Sequence, residues 1–216
     1  MNVLGIDGAL DGFSVAIACD EEIVAVREAS GNVALENGLT MVRDAMRAAN
    51  VARCALDRLA VGVGPGRFTG LRIAIAYAKS LAQAWRLPLV PISSFDCLEY
   101  GRPLERVLSV VVGRPGIVSV RFRDGATVRR ASGRTREALT ACAAGGERPL
   151  AVLGAPEDVL AELAERGIAV NSLDPLVSPP AAAIALAGAT RAPAVSVHEV
   201  TADYGELPPA RVPKLS

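Results

Sequence analysis

The segment Val61-Gly62-Val63-Gly64-Pro65-Gly66-Arg67-Phe68-Thr69-Gly70-Leu71-Arg72 joins a strand to a helix through a turn that few sequences permit. Leu59, Val61 and Val63 alternate with smaller residues, the period of a buried strand. Gly64 and Gly66 open backbone angles closed to other residues, and Pro65 stiffens the turn between them. Thr69 is expected to cap the helix, because Phe68, Leu71, Ile75, Ala78 and Leu81 then recur at helical spacing. A turn of this kind aims unpaired N–H groups and the positive end of a helix dipole at one spot. It matches neither Gly-x-x-x-x-Gly-Lys-Ser/Thr nor Gly-x-Gly-x-x-Gly, so neither phosphate-binding fingerprint is claimed and a tight strand-to-helix connection is the default reading of the glycines alone.

Around that turn the chain reads as α/β. Asn2 to Asp7, Phe13 to Cys19 and Ile23 to Glu28 are three expected strands. A helix follows through Leu35, Leu39, Val42, Met46 and Ala49, spaced four, three, four and three apart. Next come a strand at 58–63, the helix from Thr69 to about Trp85, a strand at 87–91 and a helix cap at Ser93-Ser94. The pattern then partly repeats, with strands at 107–112, 117–122 and 126–131 and a helix at 135–142. A strand at 150–153 and helices at 157–165 and 180–189 follow. Gly101 and Pro103 mark the boundary, so the expected division is a lobe of residues 1–100, a reduced second lobe of 101–192 and a tail of 193–216. The tail carries Pro193, Pro208, Pro209 and Pro213 and is expected to wrap the surface or fray.

Composition narrows the function classes. At 51% apolar and 21% charged residues the chain is globular. Neither a signal peptide nor an apolar run long enough to cross a bilayer is expected, which suggests a cytoplasmic protein. Cys19, Cys54, Cys97 and Cys142 are widely spaced and read as buried, reduced thiols without metal-ligand spacing. Net charge is zero but uneven: residues 102–136 hold nine arginines against Glu105 and Asp124. That surplus could meet RNA phosphates, but Phe122 is the single aromatic residue interleaved for base stacking, so an ordinary solvated face is the favoured reading.

Few residues suggest catalysis. Asp7-Gly8-Ala9 follows the first strand, where Asp7 either contacts a nucleotide or caps its own turn. His198 is the single histidine, within a strand-like Val197-His198-Glu199-Val200 context, and a surface or structural role is favoured over a triad. Asp11, Asp20, Glu21 and Glu22 sit at turns, and Glu157, Asp158, Glu162 and Glu165 lie on a helix favoured by acids in its first turn. No catalytic residue and no metal site is assigned.

Gly64-Pro65-Gly66-Arg67-Phe68-Thr69-Gly70-Leu71-Arg72 closely resembles the Gly-Pro-Gly-Ser-Phe-Thr-Gly-Leu-Arg signature of the bacterial TsaB (YeaZ) family, departing only at Arg67. The resemblance implies a ribonuclease-H-like, actin-like ATPase fold with two related lobes. It also implies a non-catalytic partner of TsaD, which with TsaE and ATP places threonylcarbamoyl on a tRNA adenosine. The expected partners are a TsaD-like subunit, a TsaE-like ATPase and a second copy when alone, with tRNA reached indirectly and no nucleotide held firmly. The expected partner surface comprises Leu35, Leu39, Met46, Phe68, Leu71, Arg72, Ile75 and Lys79, beside the signature loop of Gly64, Pro65, Gly66, Thr69 and Gly70. Outside the first lobe the likeness thins: near 112–119 only Arg114 and a valine match, and near the end only Tyr204. Gly8 also replaces the family's usual threonine. A small ATP-using kinase or acyltransferase of the same superfamily is the alternative, and an RNA-binding module the third reading.

Overall fold

A computed structural model describes residues 1–10, 12–30, 36–142, 149–173 and 179–205. The first sheet has the order β3-β2-β1-β4-β5. Its strands are β1 (Asn2–Asp7), β2 (Phe13–Cys19), β3 (Glu22–Ala29), β4 (Arg58–Gly64) and β5 (Leu89–Ser93). β1 runs antiparallel to β2 and parallel to β4, which is parallel to β5. β5 begins two residues later than the periodicity suggests.

Alternation along the strands decides which helix covers which face. Leu4, Ile6, Phe13, Val15, Ile17, Leu59 and Val61 point to one side, where α1 (Gly38–Ala48) and α2 (Phe68–Trp85) bury Val42, Ala45, Leu71, Ala74, Ala78 and Ala82 against them. The opposite side presents Val3, Ala16, Ala18 and Ala60, and α6 (Pro180–Thr190), with five alanines, Ile184 and Gly188 buried along it, lies flat upon them. A Cβ on Gly5 would strike the backbone of α6, and one on Gly188 would strike Ala60. Ser14 of β2 closes the helix start by accepting the N–H of Ala181 at 3.1 Å. The C-terminal helix, expected with the second lobe, therefore completes the first: an all-apolar helix must be buried, and only this small-residue face accepts it.

The second sheet repeats the plan in the order β10-β9-β6-β7-β8. Its strands are β6 (Arg106–Arg114), β7 (Ile117–Asp124), β8 (Thr127–Arg134), β9 (Leu150–Leu153) and β10 (Val170–Leu173). β10, a short strand in a polar stretch, was not legible in the sequence. α4 (Thr135–Cys142) and α5 (Glu157–Glu165) cover one face through Leu139, Val159 and Leu163. Among the described residues they span 8 and 9 residues, against the 11 and 18 of α1 and α2. The other face receives α3 (Ser94–Glu99), whose Phe95 and Leu98 pack on Val107, Val111 and Leu153. Ser93 caps α3 as expected, accepting the N–H of Asp96 at 3.1 Å.

Charge ties the lobes where α3 crosses. Glu99 accepts from Arg121 Nη2 at 3.0 Å, Arg123 Nη2 at 3.1 Å and Ser109 Oγ at 2.6 Å. Asp96 holds Arg121 at 2.6 Å and Arg191 at 2.5 Å. Burial alone would raise the Asp96 carboxyl, but the two guanidinium groups outweigh it and hold it below the usual range. The tail then straps the first lobe. Ala194 N–H donates to Leu89 at 2.9 Å, Asp203 N–H donates to Val63 at 2.7 Å, and Val200 is buried between them. His198 lies in a 3-10 turn, Val197–Glu199, rather than a strand, and residues 206–216 fall outside the described part.

Candidate functional site

The signature loop is built on close backbone approaches. A Cβ on Gly66 would collide with the carbonyl of Ala9, and Cβ atoms on Gly8 and Gly70 would each collide with the other's carbonyl. Gly64, with φ +96°, lies against Asp203 and forms a cis peptide with Pro65. Arg67 N–H donates to Ala9 at 2.8 Å. Helix α2 starts one residue earlier than expected, with Arg67 at the cap position and no side-chain cap bond; Thr69 is an exposed first-turn residue rather than the cap.

Asp7 belongs to the same assembly. Its Oδ2 accepts the N–H groups of Ala9 and Leu10, both at 3.1 Å, which is the turn-capping role. Among the described residues Oδ1 has no hydrogen-bond partner; it lies by Gly62, near the Ile184 side chain, and Asp7 is 1% exposed. Burial pushes its carboxyl up to about 6. The N–H groups of Ala9, Leu10 and Arg67 are thus already engaged, and the space between the two loops is filled by glycine backbone. The loop positions the start of α2.

Among the expected partner residues the structure makes a clear division. Leu71 at 0% and Ile75 at 7% exposure face the sheet and are part of the chain's own core, which corrects their place on the surface. The reason is phase: 71, 74, 75, 78 and 82 form one stripe of α2, and that stripe is the buried one. Leu35 lies outside the described residues. Leu39, half exposed, and Met46 line a groove of about 670 Å³ between α1 and α2, closed by Val42, Leu81 and Trp85. Gly38 sets the helix spacing there, because Tyr77 occupies the place of its missing side chain. Beside the groove, Ile73, Ala76, Ser80 and Ala84 form an outer row of α2 without a charge, a row that the same phase argument could have identified.

Phe68, Arg72 and Lys79 lie on another flank of α2, against the tail. Lys79 Nζ donates to His198 at 3.4 Å, the Phe68 and Tyr204 rings are 5.0 Å apart, and Arg72 sits 5.1 Å over Phe68. Of the four thiols only Cys97 and Cys142 are buried; Cys54 is exposed and Cys19 half-buried, so the expectation of four core cysteines holds for two. Among the described residues no cluster of metal-ligating side chains occurs, and no helix is long and apolar enough to cross a membrane.

Two five-stranded mixed sheets of matching order, bridged by α3 and closed by a returning helix, define a two-lobed α/β protein of the actin-like ATPase fold. A family model described as TsaD, tRNA N6-adenosine threonylcarbamoyltransferase, matches residues 30–170. The chain belongs to that family, in its TsaB (YeaZ) branch. It is 33% identical over 122 residues to the tRNA threonylcarbamoyladenosine biosynthesis protein TsaB of Escherichia coli (strain K12), covering 55% of this chain and 53% of that protein. It is 31% identical over 160 residues to the tRNA N6-adenosine threonylcarbamoyltransferase of Moorella thermoacetica, covering 63% of this chain and 46% of that one. The chain thus spans about half the length of these curated relatives. YeaZ from Pseudomonas aeruginosa shares the fold, with TM-score 0.73, 24% identity and coverage of 94% of this chain and 99% of that chain.

Proposed function

We propose that this chain serves biosynthesis of N6-threonylcarbamoyladenosine on tRNA as a non-catalytic subunit that docks a TsaD-type catalytic subunit. The names of its relatives support the pathway, and the outer face of α1 and α2 supports the docking. The observation that carries it is the groove between those helices: a mostly apolar slot of about 670 Å³, bordered also by Arg43, Arg47 and Asn50, with half-exposed Leu39 at its mouth and the uncharged row Ile73, Ala76, Ser80 and Ala84 beside it. Small residues let a partner helix approach closely, as a four-helix contact needs. In the absence of that partner, a second copy takes the same face. The TsaE-like ATPase and its ATP join the assembled pair, and the transfer onto the tRNA adenosine occurs on the TsaD-type subunit.

Size-exclusion chromatography with light scattering tests this on the chain mixed with the TsaD-like protein of its own genome. A one-to-one heterodimer that replaces any homodimer is the expected result. Separate elution of the two proteins in the presence of ATP and tRNA would refute the docking.

A further inference from the structure

The nine arginines of residues 102–136 separate, in the fold, into those that are neutralised and those that are not. Arg106 pairs with Asp124 at 3.3 Å, Arg121 and Arg123 with the α3 carboxylates, and Arg136 with Glu162 at 3.2 Å. Arg102 and Arg114 are engaged as well. Among the described residues no carboxylate pairs with Arg129, Arg130 or Arg134, and all three are exposed on β8, the outermost strand of its sheet.

Strand alternation sends Arg130, Ser132 and Arg134 to the side that faces the first lobe, with Arg130 and Arg134 about 13 Å apart along the strand. Arg130 is steadied there, its guanidinium 5.4 Å over the Phe95 ring. It borders a polar cleft of about 240 Å³ between the lobes, whose other wall is Pro65, Asp203 and Gly205. Gly205 abuts the Ser119 and Ser132 hydroxyls, which bond each other at 2.9 Å, while Asp203 turns its carboxylate back onto the Gly205 N–H at 2.9 Å. Tyr204, 39% exposed, stands between Asp203 and Gly205 in the chain, and its ring lies 5.0 Å from that of Phe68, 52% exposed, at a tilt of 33°, with the Arg72 guanidinium 5.1 Å over Phe68. The stretch's own aromatic, Phe122, is buried, so the exposed rings come from two distant parts of the chain.

Unpaired guanidinium groups beside exposed rings are the combination that binds an unpaired nucleic-acid strand, phosphates on the arginines and bases on the rings. We infer that this interlobe rim is an RNA-contacting surface, in which Arg130 and Arg134 bind phosphates and Phe68 with Tyr204 stacks a base. That the strand belongs to tRNA rests on the proposed function; the surface itself does not. An acidic protein segment adding to the β8 edge would use the arginines but not the rings.

Fluorescence anisotropy of labelled tRNA and of a labelled single-stranded oligoribonucleotide, titrated with the full chain alone and with its TsaD-like partner, tests the inference. Arg130→Ala with Arg134→Ala is expected to weaken binding and to flatten the log–log salt slope by about 1.4, at about 0.7 per phosphate contact. Phe68→Ala or Tyr204→Ala is expected to weaken binding about tenfold and leave that slope unchanged. All four side chains are at the surface, so thermal denaturation should show the variants folded. RNA binding that ignores both sets of substitutions overturns the inference, as does a polyglutamate peptide that responds to the arginine variants when RNA does not. If the two proteins co-elute but RNA fails to bind, the surface alone is refuted. If RNA binds with these sensitivities and the proteins do not co-elute, the docking alone is refuted.

Discussion

Gly8 and Gly70 meet backbone to backbone, each lying where the other's Cβ would have to be. The contact fixes the first turn of α2 on the β1–β2 turn and explains why a glycine stands inside the start of a helix. Gly70→Ala is expected to destabilise the fold by about 3 kcal/mol, the upper range for overpacking, because the obstruction is a carbonyl and not a movable side chain. Thr69→Ala, one residue away but exposed and bonded to no cap, should fall within about 0.5 kcal/mol of the parent. Urea denaturation of both variants checks the pair, and equal effects would remove the argument.

Asp7 predicts a pH dependence. Its carboxyl rises from 3.8 to about 6 in the fold, so the ionised form is the one the folded state resists. The destabilisation is absent below the unfolded value of 3.8, grows through the interval up to about 6, and is complete above it. Asp7→Asn keeps an acceptor for Ala9 and Leu10 without ionising. Its stability relative to the parent should increase by about 3 kcal/mol between about pH 4 and pH 7. Denaturation curves across that range would show a constant difference if Asp7 does not titrate with folding.

Glu99 is the hub of the interlobe charges, with its side chain 9% exposed beside Arg121 at 8%. Removing it leaves a buried guanidinium with only Asp96. Glu99→Ala should therefore cost about 3 kcal/mol, and added salt should recover little of it because the group is shielded from solvent. Guanidinium and urea midpoints compared at several ionic strengths provide the measurement.

Ile73 and Ile75 sit two residues apart on α2 and should behave oppositely. Ile75→Glu places a charge in the core and is expected to prevent folding. Ile73→Glu changes stability by about 0.5 kcal/mol or less and should abolish the heterodimer and the homodimer alike. Circular dichroism separates the first outcome and light scattering the second. An Ile73→Glu chain that still pairs would show that the partner lies elsewhere.

Much of this was legible in residue order. The strands of both sheets except β10, the helix positions, and the Asp7 and Ser93 caps follow from periodicity and turn chemistry. What escaped depends on contacts between distant residues. The glycines of Gly64–Gly70 showed a tight strand-to-helix connection, but sequence shows which residues permit close approach, not that Ala9, Gly8 and Asp203 are what approaches. Leu71 and Ile75 were placed outside because apolar residues were counted without fixing the phase that Ala74, Ala78 and Ala82 define. The arginine stretch's own aromatic, Phe122, is buried in the fold, and the exposed rings of Phe68 and Tyr204 come from elsewhere in the chain.

The return of α6 to the first sheet has a consequence for synthesis. Val3, Ala16, Ala18 and Ala60 emerge early, yet their cover consists of residues 180–190. At ribosomal rates of about 5–20 residues per second, that face waits roughly 6–25 seconds after Ala60 for its helix. The second sheet emerges within this interval as an insert in an unfinished lobe. Arrested chains ending before Pro180 should therefore be recognised by chaperones and proteases as incomplete, even though most of both sheets has already been made.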